Sequence, residues 1–386
     1  MKRFVEVMIR ELRLFASNGV AVFIFLAAPI GYGLVVGATY QSGMLKELPV
    51  MIVDLDNSPL SNRTIDAIGD NKYLQVREIS HTDVNVKQKV IEEDLIAAVH
   101  LPSNFEADVY QRRHPVIRVE LNGNNMVESN YAGNGLQSTL ATLNAGLEIE
   151  ALKKQGQPEA ISREQFEMFG ISYKRFFNPA NNYMQFIWPG IMGTVMQQVL
   201  LIVLALAFSK EFEEGTFSQL LGYSRSATWL ILAKGLPYLV LTLLMWVLIF
   251  KGFYPLFHVI QPASFWTNWF MILLFSTAYL FLGIMVSIWI PSQLKTTEIL
   301  MAISLPTFIL SGFTWPPSGM PGWVTALADT LPLTHYLHAF RKIQLNGATL
   351  STVSTEMWTL IGMTLLFFMI SVWSLKFKIN NSLSQT

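Results

Sequence analysis

The stretch FIWPGIMGTVMQQVLLIVLALAFSKEFEEG, residues 186–215, joins a long apolar run to a cluster of charged side chains. A bilayer core of about 30 Å needs about 20 apolar residues in an α-helix, because each residue adds roughly 1.5 Å. The run at 186–208 is long enough and carries no charged side chain. It predicts a membrane-spanning helix, so the charged residues that follow it must lie in water on one side of the membrane.

Five more apolar stretches of this kind occur, one before residue 42 and four in the C-terminal half. All six together predict spans at 19–41, 186–208, 228–250, 265–290, 298–315 and 356–375. The span at 298–315 is short and contains Pro306, which neighbouring helices can accommodate in a membrane. We therefore predict an α-helical integral membrane protein with six transmembrane helices and an inserted α/β extracytoplasmic domain.

Composition agrees with a membrane protein. Hydrophobic residues make up 52% of the chain and charged residues 14%, against roughly 25% charged in an average soluble domain. Lys plus Arg equals Asp plus Glu, at 27 each, so the net charge gives no sign of a nucleic-acid partner. The absence of cysteine excludes disulfides, thiolate metal sites and cysteine nucleophiles.

Basic residues next to the spans predict the orientation, because cytoplasmic loops carry the excess of lysine and arginine. With the N-terminus inside, the inner segments, including the tail 376–386, hold Lys2, Arg3, Arg10, Arg13, Lys210, Arg225, Lys295, Lys376 and Lys378. Lys251, Arg341 and Lys342 are exceptions on the outer side. A cleaved signal peptide is the alternative interpretation of 19–41, and we disfavour it because Glu6 and Glu11 interrupt the basic leader. Both termini are expected in the cytoplasm.

Residues 1–18 have the pattern of an amphipathic helix that lies on the inner membrane surface. The apolar residues at helical spacing are Val5, Met8, Ile9, Leu12 and Phe15. Arg10 and Arg13 are predicted on another side of this helix. A plain extension of the first span is the alternative.

Residues 42–185 are the only segment long enough for a water-soluble domain, and the orientation places it outside. The stretch 49–68 predicts a buried strand, a turn and a helix that Ser58 or Ser61 caps. Further strands are predicted at 72–80, 96–102 and 114–123, with a helix at 84–95. From about Met126 to Lys154, leucines at spacings of three and four predict a long helix that acts as a strut back to the membrane.

Asp54 and Asp56 follow the first strand in the pattern of two catalytic carboxylates. Aspartyl-phosphate phosphatases use such a pair, the first as nucleophile and the second as acid and base. A calcium loop is a weaker alternative, because the glycine and the final glutamate of such a loop are missing. We favour a turn in which the short polar side chains hold local backbone groups and cap the next helix. No catalytic residue is predicted.

Other polar residues are also interpreted as structural rather than catalytic or metal-binding. His335 and His338 are three apart, but no acidic third ligand lies beside them, so packing at the membrane interface is favoured over a metal site. Lys295 and Glu298 are predicted to mark the inner water boundary. Lys234, in the first turns of the third span, is predicted to extend its side chain to the inner surface.

The sequence contains no G-x-x-x-x-G-K-[ST] loop, so the chain has no phosphate loop for ATP. The charged segment 209–227 resembles the region after the second span in permease subunits of ABC-2 type ABC transporters. The matching residues are Lys210, Glu211, Glu213, Gly215, Thr216, Leu220, Leu221 and Lys234. Phe212 and Ser224 depart from the family pattern, where an arginine and a proline are usual. These departures leave the contacts of the segment open.

Two further stretches carry the same resemblance. Residues 311–347 are similar to the family's outer segment between the fifth and sixth spans, including its serine-glycine, Met-Pro and Pro-Leu-Thr. Residues 53–68, followed by LPSNF at 101–105, resemble the start of the large outer domain in the subgroup that carries one. The resemblance covers nearly the whole chain.

The resemblance implies that two permease chains pair and that two cytosolic ABC ATPases bind beneath them. The ATPases would hold the ATP and Mg²⁺, and this chain would hold no cofactor. Segment 209–227 then contains a coupling helix that docks in a cleft of the ATPase. Glu211, Glu213 and Glu214 are favoured near its N-terminus by the helix dipole, and Thr216 is predicted to cap it. A solvated loop whose charges only stop translocation is the alternative.

The outer segment 316–355 is predicted to be re-entrant or interfacial, because it is too short and broken for another crossing. Its expected function is an outer gate, with Pro316, Pro317, Pro332, His335 and Arg341 as the gate residues. The outer domain is expected to meet an envelope adaptor protein or to hand over substrate. These expectations place the chain in a bacterial inner membrane, in contact with lipid and with no nucleic-acid partner.

The resemblance implies ATP-driven export. A pathway lined by Met, Phe and Trp with few charges suggests a hydrophobic or amphipathic substrate, but the same side chains can face lipid, so the substrate stays open. Three other classes remain as alternatives. A membrane-anchored sensor would act through the outer domain, but would not need the further spans. A membrane-embedded transferase would need several polar groups at one depth. An ion-driven transporter would show inverted repeats and carboxylates in its spans.

Overall fold

The computed structural model describes residues 2–154, 178, 182–261 and 264–383. The chain divides into two compact units, one made of Met1–Gly43 with Arg175–Thr386 and the other of Met44–Lys174. We call the first the membrane unit and the second the inserted unit, since it lies between two parts of the first along the chain. Of the predicted outer domain 42–185, residues 155–177 and 179–181 lie outside the described residues.

Helices dominate the described part of the chain, which contains one small sheet. In chain order, the elements are α1 (Lys2–Ser17), α2 (Gly19–Tyr40), β1 (Leu48–Asp54), α3 (Pro59–Gly69), β2 (Leu74–Ser80), α4 (Val86–Glu92), β3 (Ala97–Leu101), α5 (Phe105–Tyr110), β4 (Arg118–Leu121), α6 (Met126–Lys154), α7 (Tyr183–Ala205), α8 (Ser209–Glu213), α9 (Phe217–Tyr223), α10 (Ala227–Leu248), α11 (Tyr254–Leu256), α12 (Phe265–Trp289), α13 (Gln293–Leu310), α14 (Gly322–Ala328), α15 (Pro332–Asn346) and α16 (Ser354–Leu383). A π-helical turn, Ile249–Phe253, joins α10 to α11, and a 3₁₀ turn, Pro317–Gly319, precedes α14.

Within the described residues, five helical stretches are long and apolar enough to cross a membrane. They are Gly19–Tyr40, Tyr183–Glu213, Ala227–Leu256, Phe265–Trp289 and Ser354–Ser382. Each coincides with a predicted span, which identifies a multi-pass helical membrane protein. The last of them continues as helix to Leu383, so the first part of the predicted tail 376–386 is helical.

The predicted span at 298–315 lies on α13, which is not among these five. The helix begins five residues before the predicted start and has 18 residues, which gives it a length of about 27 Å. Its first two turns are polar, with Lys295 and Glu298 both exposed. Its middle packs on α7, where the amide of Gln197 donates to the hydroxyls of Ser304 and Thr307, both at 3.0 Å.

The inserted unit contains a four-stranded sheet in the order β2–β1–β3–β4. β1 is parallel to β2 and β3, and β4 is antiparallel to β3. Alternate residues of β1 face opposite sides of the sheet. Val50 and Ile52 pack with residues of α3 and α6, whereas Met51 and Val53 pack with Val86 of α4. Because both faces are covered, β1 is a continuous apolar run.

The two aspartates after β1 form the polar turn that the sequence favours. Asp54 is fully buried, and its carboxylate accepts two backbone N–H groups of the turn, both at 3.1 Å, and the hydroxyl of Ser61 at 2.8 Å. Ser58 is the N-cap of α3 and forms a capping box with Ser61. Asp56 accepts the backbone N–H of Glu106 at 2.9 Å, in the first turn of α5, a short helix that the sequence pattern does not predict.

His100 of β3 is expected to make the inserted unit less stable in acid. Its Nδ1 lies 3.2 Å from a guanidinium nitrogen of Arg118 and must accept, which places the proton on Nε2, 3.6 Å from Glu120. Burial and then the charge of Arg118 lower the pKa of His100, against the opposing effects of Glu120 and Asp83. When the pH falls below the unfolded value of about 6.5, the unfolded chain binds the proton first, so stability is lost.

We expect hydrogen exchange of the β3 and β4 amides in the full chain, corrected for intrinsic rates, to accelerate between about pH 8 and about pH 5. His100→Gln should flatten this dependence, because an amide does not titrate in that range. His81→Gln, at an exposed histidine, is the matched control and should leave the dependence unchanged. A pH dependence that survives His100→Gln would contradict the assignment.

Candidate functional site

The charged segment that follows α7 forms two short helices, α8 and α9. The residue between them that permits the turn is Gly215, whose φ of +69° lies in the left-handed region. Glycine adopts this conformation without the steric cost that a Cβ brings. The single coupling helix expected from the sequence is therefore divided, because the chain turns at this glycine.

Glu211 of α8 is the centre of a buried cluster of charged side chains. Its carboxylate accepts two hydrogen bonds from the guanidinium of Arg10, at 2.6 and 3.0 Å, and one from the ammonium of Lys234 at 2.8 Å. The same ammonium lies 2.5 Å from a carboxylate oxygen of Glu11, which is 3.3 Å from Arg10. We call Arg10, Glu11, Glu211 and Lys234 the charge cluster.

The charge cluster is neutral in sum, and three of its four side chains are nearly closed to solvent, whereas that of Arg10 is 24% exposed. Glu11 and Glu211 are each 2% exposed and Lys234 is 1% exposed. Buried charges are tolerated where they are paired and hydrogen-bonded, and two carboxylates here face two cations. Hydrogen bonding to Glu211 raises the pKa of Arg10 and keeps its guanidinium charged. Loss of any one member therefore leaves an unbalanced charge in the interior.

Lys234, whose side chain is predicted to extend to the inner surface, is only 1% exposed. Its ammonium is held between the carboxylates of Glu11 and Glu211 and lies 5.4 Å from the ring centre of Phe208. Two ionic partners with good geometry stabilise the buried ammonium in place of water. Glu11 lies 223 residues away along the chain, and a local pattern contains no information about such a partner.

Arg10 and Glu11 are members of the charge cluster that the sequence pattern does not identify. The amphipathic pattern separates Arg10 from the apolar residues of α1, but it does not indicate what Arg10 contacts. α1 packs against α10 and brings both residues to Lys234. Its apolar residues Val5 and Ile9 are about half exposed. The one available signal is the lysine in a predicted span, because such a residue requires an acidic partner.

Two further contacts attach α8 to neighbouring helices. The hydroxyl of Ser209 lies 2.9 Å from that of Thr296 in α13 and 3.2 Å from the backbone carbonyl of Ser287 in α12. Glu213 accepts the backbone N–H and the side-chain amide of Gln293, the first residue of α13, at 2.8 and 3.0 Å. A carboxylate at this position is favoured by the dipole of α13. α8 is therefore bonded to α1, α10, α12 and α13.

Thr216 does not cap the helix that follows it, contrary to the prediction. It occupies the N-cap position of α9, but its side chain makes no capping hydrogen bond. Its hydroxyl donates instead to the carboxylate of Glu211. A charged acceptor makes the stronger hydrogen bond, and the donor cannot serve both groups. Glu211 and Glu213 lie in α8, before the start of α9 rather than within its first turn.

The remaining residues of the predicted coupling segment divide between interior and surface. Leu220 is buried and Leu221 is half-buried, whereas Lys210 pairs with Glu214 at 3.9 Å. The exposed positions of α8, α9 and the turn between them include Glu213, Glu214, Gly215, Ser218, Gln219 and Gly222. This face is polar. Its residues follow Glu211 of the charge cluster directly in the chain.

The residues predicted as an outer gate make separate contacts. Pro316 precedes the 3₁₀ turn that begins at Pro317, and Pro332 is the first residue of α15. The Nε2 atom of His335 lies 2.9 Å from the backbone carbonyl oxygen of Asp329. These contacts fix turns of the backbone.

Arg341 of α15 closes a stack of two aromatic rings. The rings of Phe186 and Phe313 lie 5.2 Å apart at an angle of 15°. The guanidinium carbon is 4.4 Å from the ring centre of Phe313 and 5.1 Å from that of Phe186, within cation–π range. It also donates to the backbone carbonyl of Phe313. We call Phe186, Phe313 and Arg341 the aromatic clamp.

Gly190 makes room for the aromatic clamp. A Cβ added to this residue of α7 would lie 2.3 Å from a ring carbon of Phe313, closer than two carbons can approach. Phe186 and Gly190 are four residues apart and share one face of α7. The clamp therefore depends on a helix surface without a side chain at this position.

A metal site finds no support in the part of the chain that is described. Over these residues, no three His, Asp or Glu side chains are placed to hold an ion together. Both carboxylates of the charge cluster are engaged by cations. The charge cluster therefore links three segments of the chain by ion pairs.

Comparison with known families gives one match over most of the chain. The sequence profile of a family described as "ABC-2 family transporter protein" matches residues 20–373. The matched range includes Glu211, Lys234 and the aromatic clamp. Arg10 and Glu11 lie before it.

Individual proteins are similar in sequence to this chain over long stretches. The chain is similar to the inner membrane transport permease YhhJ of Escherichia coli (strain K12), with 25% identity over 350 residues and 87% of each chain covered. It is similar to the probable multidrug ABC transporter permease YbhR of the same strain, with 23% identity over 267 residues and 69% of each chain covered. ABC transporter G family member 20 of Dictyostelium discoideum is 20% identical over 331 residues, 86% of this chain and 44% of that protein.

Proposed function

The chain belongs to the ABC-2 family of transporter proteins, and from this premise we propose that it is the membrane subunit of an ATP-driven exporter. It is a membrane permease of an ABC transporter, and permeases of this family work with cytosolic ABC ATPases. In the proposed function, ATP and Mg²⁺ bind to the partner ATPase, and this chain holds no cofactor and hydrolyses nothing. Its own contribution is the passage across the membrane.

The charge cluster is the observation that carries the proposal. Glu211 bonds simultaneously to Arg10, Lys234 and Thr216, so a shift of α8 moves α1 and α10 with it. Ser209 and Glu213 extend the same connection to α12 and α13. When two bound ATPases close on ATP, their motion reaches four helices through α8. That motion switches a central cavity between inner and outer access.

The proposed assembly contains two permease chains, identical or homologous, and two ABC ATPases in a bacterial inner membrane. α8, α9 and both termini face the cytoplasm in this assembly, as the distribution of lysine and arginine predicts. The inserted unit then lies outside, where it meets an envelope adaptor protein or receives substrate. Lipid surrounds the spans.

The aromatic clamp is the proposed outer gate. Cation–π contacts at a desolvated site contribute about 2 kcal/mol or more, which is enough to favour a closed state. The proposed substrate is hydrophobic or amphipathic. The description of YbhR as a probable multidrug permease fits that class.

Gln219→Trp is expected to reduce the recovery of the ATPase with this chain at least roughly tenfold, because bulk at the centre of an interface costs more than about 1.4 kcal/mol. Gln219 is exposed on α9 beside the buried Leu220, so the indole covers the docking face without entering the core. The measurement is purification of the tagged full chain from membranes of its own organism. Bound proteins are then identified by mass spectrometry, and ATP hydrolysis is assayed.

Asn380→Trp is the matched control. Asn380 is an exposed amide side chain near the end of α16, and this variant should recover the ATPase in full. If the unaltered chain recovers no ATPase, or if Gln219→Trp recovers as much as the control, then α8 and α9 are not the docking segment.

A further inference from the structure

The inserted unit contains a pocket between the second half of α6, the loop 111–117 and the strand β4. Its volume is about 900 Å³. Pockets that bind drug-sized ligands have volumes of about 300–1,000 Å³. The pocket is thus large enough for one such molecule, and it lies entirely within a unit that has its own core.

The walls of the pocket are mostly apolar. They are formed by Ile117, Val119, Leu121, Leu136, Leu140, Leu143 and Leu147. Leu136 also belongs to the core of the unit and is 1% exposed, but Leu121, on the edge strand, is 45% exposed. The apolar surface therefore continues from the core into the open pocket, as in a preformed binding site.

The geometry of α6 explains why the pocket exists. Its first turns, with Ala132 and Leu136, pack on the sheet. The helix has 29 residues, about 43 Å, whereas β4 has only four. The second half of α6 therefore extends past the end of this short strand, and Leu143 and Leu147 stay half-buried.

The rim of the pocket offers polar groups of both signs. Gln137, Asn144 and Glu148 lie along α6, and Arg112 lies in the facing loop. Arg112 and Glu148 are 3.5 Å apart, so a positive and a negative group face each other across the opening. Glu150, a second carboxylate of the lining, is paired with Arg63 at 2.8 Å. Because each carboxylate faces a guanidinium, the pocket favours a ligand whose polar end is uncharged and can both donate and accept hydrogen bonds.

We propose that this pocket binds a neutral amphipathic molecule of drug size, with its apolar body along the leucines of α6 and its polar end at Arg112 and Glu148. The assignment rests on the proposed export function, since such a molecule is the class of substrate that the permease would move. It adds a binding site outside the membrane spans to the proposed route of that substrate.

The absence of cysteine from the chain permits a direct test. Asn144→Cys places a thiol in the pocket, and Asn134→Cys places one at an exposed position of the same helix outside the pocket. The full-length chain is reconstituted in lipid nanodiscs and labelled with a charged, water-soluble maleimide. The neutral probe is N-phenylnaphthylamine. At a probe concentration tenfold above its Kd, labelling of Asn144→Cys should slow about tenfold, since the rate follows the free fraction.

A second pair of variants distinguishes occupancy from other effects of the probe. Ala141→Trp fills the pocket from an exposed position on its wall, whereas Thr142→Trp adds the same ring at the next residue, outside the lining. Protection of Asn144→Cys should disappear with Ala141→Trp and persist with Thr142→Trp. Equal labelling of Asn144→Cys with and without the probe, or equal slowing of Asn134→Cys, would overturn the proposal.

The result can be separated from that of the ATPase experiment. If the ATPase is recovered with the chain but the probe gives no protection, the pocket assignment fails and the export function stands. If the probe protects Asn144→Cys but no ATPase is recovered, the binding site stands and the export function fails.

Discussion

Replacing Lys234 with methionine is expected to remove about 3–5 kcal/mol from the unfolding free energy of the protein. The variant leaves the buried carboxylates of Glu11 and Glu211 facing the single cation Arg10. Methionine has a similar length and no charge, so the loss comes from the unbalanced charge rather than from a cavity. The measurement is the denaturant midpoint of the purified full chain, together with its yield from membranes.

The matched control is Lys251→Met, at an exposed lysine near the end of the same helical stretch. Exposed substitutions of this kind change stability by about 0.5 kcal/mol or less. Adding Glu11→Gln to Lys234→Met restores one carboxylate against one cation and should recover most of the lost stability. Equal midpoints for Lys234→Met and Lys251→Met would show that the charge cluster does not stabilise the fold.

Gly190→Val is expected to reduce transport roughly tenfold or more while the ATPase stays bound. An added side chain meets the ring of Phe313 at 2.3 Å and must displace it from Phe186 and Arg341. Overpacking of this kind costs on the order of 1–3 kcal/mol, and 1.4 kcal/mol is a factor of ten. The measurement is drug efflux or resistance in cells, normalised to the amount of chain in the membrane, with ATPase recovery determined in parallel.

Gly31→Val is the matched control, because it is the same substitution in a membrane helix where a Cβ meets nothing within 4 Å. It should leave transport within about twofold of the unaltered chain. If Gly190→Val transports as well as this control, the aromatic clamp is not a gate. If Gly190→Val also loses the ATPase, then its effect is on folding rather than on the outer opening.

The elements that the sequence predicts well are those whose signal lies within one stretch of chain. Five spans follow from apolar runs of the required length, and β1 follows from a run that is buried on both faces. The helix predicted from Met126 to Lys154 is α6, with those bounds. The turn at Asp54 also follows locally, because Ser58 and Ser61 lie within seven residues of it.

The candidate site is less predictable from the sequence because the residues that form it are far apart in the chain. Glu211 and Lys234 belong to a recognisable motif, but Arg10 and Glu11 meet them only when α1 packs on α10. The aromatic clamp cannot be recognised in the sequence for another reason. Aromatic residues are common throughout membrane helices, so Phe186 and Phe313 do not differ from their neighbours until the fold brings them beside Arg341.

The ion pair between Glu11 and Lys234 also has a consequence for the order of synthesis. The two residues are 223 positions apart, and a ribosome adds about 5–20 residues per second. Dividing 223 by that rate gives an interval of about 11–45 s. During that time the N-terminal helix has been made but its basic partner has not. A nascent chain that stops before α10 therefore leaves Glu11 with Arg10 alone and without the ammonium that contacts it in the folded protein.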